Sequence, residues 1–87
     1  MDELNLLRGI VDDLDDKIAQ LFLTRLDYVK QIALVKRKKG LPKEDLDREE
    51  EITARIDCFA SEATAPYLNQ LYAKVFELSK AYQSDDC

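Results

Sequence analysis

An apolar seam runs through the first half of the chain at alternating steps of four and three: Leu7, Val11, Leu14, Ile18, Leu21, Arg25, Tyr28, Ile32 and Val35. This alternation keeps one side of a long helix turned toward a partner. Every position suits a core except Arg25. Only Gly9 and no proline falls inside the pattern, so the spacing predicts one helix over about residues 4–39, stopped by Gly40 and Pro42. A short helix is expected over about 46–60. Asp45 or Asp47 can cap it, Glu49, Glu50 and Glu51 suit its first turns, and Ile52, Ile56 and Phe59 form its stripe. The small-residue stretch Ala60 to Ala65 leads to a third helix over about 66–83, with Pro66 as its first helical residue. That helix carries Leu68, Leu71, Val75, Leu78 and Tyr82. A neighbouring stripe, Tyr72, Phe76, Ser79 and Gln83, turns from aromatic to polar, as a core face does when it ends at a wet pocket. The fold class is all-α, with three helices in a single domain over residues 1–87.

The length of the first helix changes this picture. At 1.5 Å per residue it spans roughly 54 Å, whereas a compact chain of this size is about 31 Å across. The helix overhangs any globule the chain can build alone. A second copy has to cover the seam, so an intertwined homodimeric helical bundle is expected.

Composition narrows the chemistry. The 46% hydrophobic and 36% charged content, with two Gly and two Pro, describes a soluble helical protein. There is no His, which removes Ser-His and Cys-His nucleophile pairs and His-based metal sites. The two cysteines, Cys58 and Cys87, make no disulfide framework and fit a reduced, cytoplasmic compartment. Apolar runs are too short for a signal peptide or a membrane span. The net charge of −5 hides an asymmetry. Between residues 25 and 43, Arg25, Lys30, Lys36, Arg37, Lys38, Lys39 and Lys43 face only Asp27. An acidic chain with one local basic zone is a poor nucleic-acid binder and a better host for a small anion. Lys36 to Lys39 also complement a helix dipole, and that alternative stays open.

Arg25 cannot lose its proton, so a buried Arg25 must find an anion. Lys36 lies eleven residues on, close to three turns, and projects from the same face about 16 Å away. A small ligand between them can touch both. Arg8 is about 25 Å from Arg25 and rotated by about 100°. It can share that ligand only from a second subunit; taken alone it is a solvated surface residue.

An ordered set of residues carries a family resemblance. Leu6, Leu7 and Arg8 are followed by Ile10, Leu14, Asp15 and Lys17, then Arg25 and Lys36, then Asp45-Leu46-Asp47-Arg48-Glu49, and finally Ser79 and Gln83. Over nearly its whole length the chain resembles the all-helical chorismate mutases of the AroQ class. The connection between helices 2 and 3 is about two residues shorter than is usual there. The resemblance implies a cofactor-free, metal-free, Claisen-type rearrangement of chorismate, a dicarboxylate, to prephenate in aromatic amino-acid biosynthesis. It implies that Arg25 and Arg8, the latter from the partner subunit, pair with the two carboxylates. Lys36 and Gln83 would donate to the ether oxygen, and Glu49 would accept from the ring hydroxyl with Asp45 nearby. Ser79 would assist a carboxylate, and Arg48 would line the pocket and order its acids. Other readings remain at this point. An isochorismate-pyruvate lyase can use the same scaffold, and a non-catalytic helical dimerisation module needs none of this chemistry. Individually, Arg25 can bridge to Glu49, Arg48 and Glu49 can be ordinary first-turn charges, Asp45 can simply cap, and Ser79 and Gln83 can be a polar strip.

Overall fold

The structure, a computed structural model, describes residues 2–42 and 44–84; Lys43 and Cys87 lie outside them. Helix α1 runs Glu3–Lys39. Asp2 starts it, its carboxylate accepting from the Leu4 N–H at 3.0 Å. Gly40 ends it at φ 68°, ψ 27°. The Gly40 N–H returns to the Arg37 carbonyl at 3.2 Å and the Leu41 N–H to the Lys36 carbonyl at 2.8 Å. This pair of bonds needs a left-handed residue after the helix, which glycine adopts without a Cβ clash. Lys36, Arg37, Lys38 and Lys39 occupy the last turn, where the helix dipole favours cations.

Helix α2 runs Leu46–Asp57, and Asp45 caps it by accepting from the Arg48 N–H at 3.0 Å. It stops three residues before the end expected from its stripe. The Phe59 and Ala60 N–H groups reach back only three residues, to Ile56 and Asp57, at 2.9 and 3.2 Å. Phe59 therefore leaves the stripe and is 82% exposed, while Ile52 and Ile56 stay buried. The cause is the start of the next helix. Ser61 and Thr64 cap reciprocally: the Ser61 N–H donates to Thr64 Oγ1 at 2.8 Å, and the Thr64 N–H to Ser61 Oγ at 3.2 Å. Residues 58–60 must turn to let that pair form. Helix α3 follows over Ala65–Ser84. Pro66 is its second residue, inside the first turn, where a missing N–H is least costly.

Helix α3 packs against both α1 and α2. The core consists of Val29 and Ala33 from α1, Ile52 and Ile56 from α2, and Val75 from α3, with Ser79 buried among them. Tyr72 meets Phe76 edge-on at 5.8 Å, and the Lys30 ammonium sits 4.2 Å from the centre of the Tyr82 ring. Within the chain, α1 buries the stripe one residue on from the seam. Leu7, Val11, Leu14, Ile18 and Leu21 are 50–69% exposed, and every residue from 2 to 21 is exposed. The radius of gyration is 16.4 Å and the long axis 58 Å, against about 12 Å expected for a compact chain of this length.

The Ser61–Thr64 pair replaces helical bonds that α2 gives up. Ser61→Ala is expected to cost about 1 kcal/mol. That corresponds to a thermal midpoint lower by about 4–8 °C, measured by circular dichroism at fixed protein concentration.

Candidate active site

Where the three helices converge, a pocket of about 250 Å³ opens. Helix α1 contributes Arg25, Tyr28, Val29, Ile32 and Lys36 to it. The start of α2 contributes Asp45, Arg48, Glu49 and Ile52, and α3 contributes Phe76, Ser79, Lys80 and Gln83. Seven of the eight residues singled out in the sequence come together here. Arg8 does not: it is exposed on the early turns of α1, roughly 25 Å along the helix from Arg25.

Arg25 crosses from α1 to α3, where its Nη1 donates to Ser79 Oγ at 2.6 Å. The Ser79 hydroxyl in turn donates to the Val75 carbonyl at 2.6 Å. The helix thus consumes the serine proton, and the oxygen lone pairs face the guanidinium. Ser79 is 6% exposed, so this hydroxyl is structural as well as polar. Among the described residues Arg25 has this neutral partner and no carboxylate. The bridge to Glu49 that the sequence left open does not form. A half-buried guanidinium held by a neutral hydroxyl at a pocket wall keeps its full charge available to an anionic group.

Glu49 turns to α3 instead. Its Oε2 lies 3.1 Å from Lys80 Nζ, and the same ammonium binds Glu44 Oε1 at 2.9 Å. Glu44 and then Glu49, through these hydrogen bonds, hold the Lys80 ammonium above the usual lysine range. Lys80 was not among the residues read from the sequence. The signal was there: it stands four residues after Phe76 and three before Gln83, on the face that lines the pocket.

The remaining polar groups divide. Asp45 lines the pocket while capping α2, so one carboxylate does both jobs. Arg48 lines the pocket but does not order its acids: it pairs with Glu51 at 3.0 Å on the exposed side of α2. The (i, i+3) spacing makes Glu51 the nearer partner, and a surface pair of this kind contributes at most about 1 kcal/mol. Lys36 lines the α1 wall. At the far end Gln83 brings a buried Oε1 that has no hydrogen-bond partner, an unsatisfied polar atom in a site able to satisfy it.

The charges decide what fits. Arg25, Lys36, Arg48 and Lys80 against Asp45 and Glu49 leave the lining at +2. Val29, Ile32, Ile52 and Phe76 add apolar surface to the same lining. Such a site can orient an anion of low molecular mass and stabilise charge that develops on it. Among the described residues there is no group of three side chains able to hold a metal, and no helix is long and apolar enough to cross a membrane.

No curated protein and no solved structure matches the chain. A comparison with known families matches residues 7–84 to chorismate mutase type II. The matched span takes in α1 from Leu7 onward, all of α2 and α3, and every pocket residue, and the chain belongs to the chorismate mutase type II family, all-α enzymes of the isomerase type.

Proposed function

We propose that the chain converts chorismate to prephenate, with the pocket between α1, α2 and α3 as its active site. The observation that carries this reading is Arg25: a half-buried guanidinium whose partner is a serine hydroxyl and which faces the pocket. A carboxylate of the substrate completes it. The rearrangement breaks a carbon–oxygen bond and forms a carbon–carbon bond within one molecule, with no nucleophile and no proton transfer. The protein's task is then to hold the compact conformer and to stabilise negative charge on the ether oxygen. Lys36 and the Gln83 amide, on opposite walls, donate to that oxygen. Glu49 accepts from the ring hydroxyl, and Ser79 keeps Arg25 aimed. Asp45 and Arg48 shape the mouth.

A second copy completes the site. Leu7, Val11, Leu14, Ile18 and Leu21, the N-terminal part of the α1 seam, are each at least half exposed, and full burial of one such side chain is worth about 1.5–3 kcal/mol. Beside Arg25 an apolar groove of about 430 Å³ runs between Ile18, Leu21 and Phe22 on α1 and Leu71, Val75 and Leu78 on α3. Both features suit an antiparallel partner helix. Pairing two copies about the middle of the Leu7 to Leu21 segment sets the partner subunit's Arg8 opposite Gln20. That position is roughly 8 Å along the axis from Arg25, within reach of a long side chain. Arg8 then grips the second carboxylate in trans.

Purified protein is expected to consume chorismate and yield prephenate. Arg25→Ala and Lys36→Ala should each lower kcat/KM by at least about 150-fold, the equivalent of about 3 kcal/mol. Release of pyruvate and salicylate from isochorismate, without mutase turnover, would replace this reading by the lyase reaction. Sedimentation should give a dimer at micromolar concentration. Arg8→Ala and Arg25→Ala chains, each nearly inactive, should recover about a quarter of wild-type turnover when unfolded and refolded together in equal amounts, because random pairing leaves one intact pocket in each mixed dimer. Turnover that stays at the level of the parent variants would place both arginines in the same subunit's site.

A further inference from the structure

The pocket has a neighbour. On the opposite side of the α2–α3 pair lies an open groove of about 990 Å³, and Glu49, Phe76 and Lys80 line both cavities. These three side chains are the partition between the reaction site and a solvent-open, carboxylate-rich groove that also carries Glu50, Asp57 and Glu77. A glutamate at this place has two directions to turn. Toward the groove it joins other carboxylates in water; toward the pocket it serves the substrate.

We propose that Lys80 is a positioning residue for the reaction, fixing the Glu49 carboxylate in the partition so that its second oxygen serves the pocket. The Nζ to Glu49 Oε2 contact of 3.1 Å engages one carboxylate oxygen and leaves Oε1 as the acceptor for a hydroxyl. The companion contact to Glu44, at 2.9 Å, ties the same ammonium to the α1–α2 connector. One lysine on α3 therefore sets the position of the connector, the first turn of α2 and the pocket acid together. Hydrogen bonding to Glu44 and then Glu49 favours the charged form of the ammonium, raising it above the usual lysine range. The role rests on the proposed reading of the pocket, because Glu49 has a hydroxyl to receive only if that reading holds.

The test is steady-state kinetics on chorismate with wild type, Lys80→Met, Lys80→Arg, Glu49→Gln and the Glu49→Gln/Lys80→Met pair. Lys80→Met should lower kcat/KM at least tenfold. Lys80→Arg, which keeps the charge and the reach, should stay within threefold of wild type. In the Glu49→Gln background, Lys80→Met should cause less than a twofold further loss, since the carboxylate it positions is gone. Lys80→Met within twofold of wild type would overturn the proposal. So would an equal loss in both backgrounds, or an Arg variant no better than Met, either of which marks a merely structural lysine. A direct readout on the wild-type protein does not depend on any variant folding. Long-range nuclear magnetic resonance correlations should connect the Lys80 ammonium protons to the Glu49 carboxylate, and their absence would also overturn it. Failure of the underlying reading looks different: wild type itself would leave chorismate unchanged, and the role of Lys80 would fall with it.

Discussion

Guanidinium chemistry sets the terms for this molecule. The Arg25 side chain stays charged at any ordinary pH, and the fold draws it from α1 across to α3 without supplying a carboxylate. What it supplies is a hydroxyl already committed elsewhere. Because Ser79 donates to the Val75 carbonyl, its oxygen can only accept, and it holds the guanidinium in place without neutralising it. The guanidinium therefore keeps its charge at the pocket wall, whereas pairing Arg25 internally with a carboxylate would offset that charge.

The rest of the pocket follows from where α3 lies. It packs on α1 through the stripe beside the seam and on α2 through Ile52 and Ile56, and it places Phe76, Ser79, Lys80 and Gln83 between them. The acids arrive from α2, whose first turn suits negative charge because the helix dipole is positive there. Of the pocket cations of α1, Lys36 arrives from its last turn, where the opposite end of the dipole favours it.

Much of this was legible from residue order. The 3-4 spacing located the long helix, Gly40 located its end, and Asp45 its successor's start. These are local signals, carried by a few bonds within one or two turns. Less legible was anything that depended on what lies opposite. The seam from Leu7 to Leu21 has helical periodicity but stays exposed in the chain, while Val29 and Ala33, a stripe away, are buried. Periodicity gives a face, not its neighbour. Phe59 continued the α2 stripe on paper, yet the Ser61–Thr64 pair ended the helix before reaching it. Arg48 chose Glu51 over the pocket acids because a partner one turn away is held in place by the helix itself. The spacing of Lys80 from Phe76 and Gln83 gives its face, but its carboxylate contacts to Glu44 and Glu49, 36 and 31 residues distant, are encoded by no local pattern.

Gly40 couples the end of α1 to the pocket. Lys36 sends its side chain into the pocket, and its backbone carbonyl receives the Leu41 N–H that closes the end of α1. The same residue is therefore a pocket-lining cation and the anchor point of the connector that leads to Asp45 and the start of α2. That connector behaves as a short strap fastened at the cation it must complement. Glu49 is held by the packing of α2 on α3 and by Lys80, so the connector's length fixes how far Asp45 and the start of α2 stand from Lys36. Loop length, usually the most forgiving variable in a helical protein, is here a parameter of the pocket's geometry.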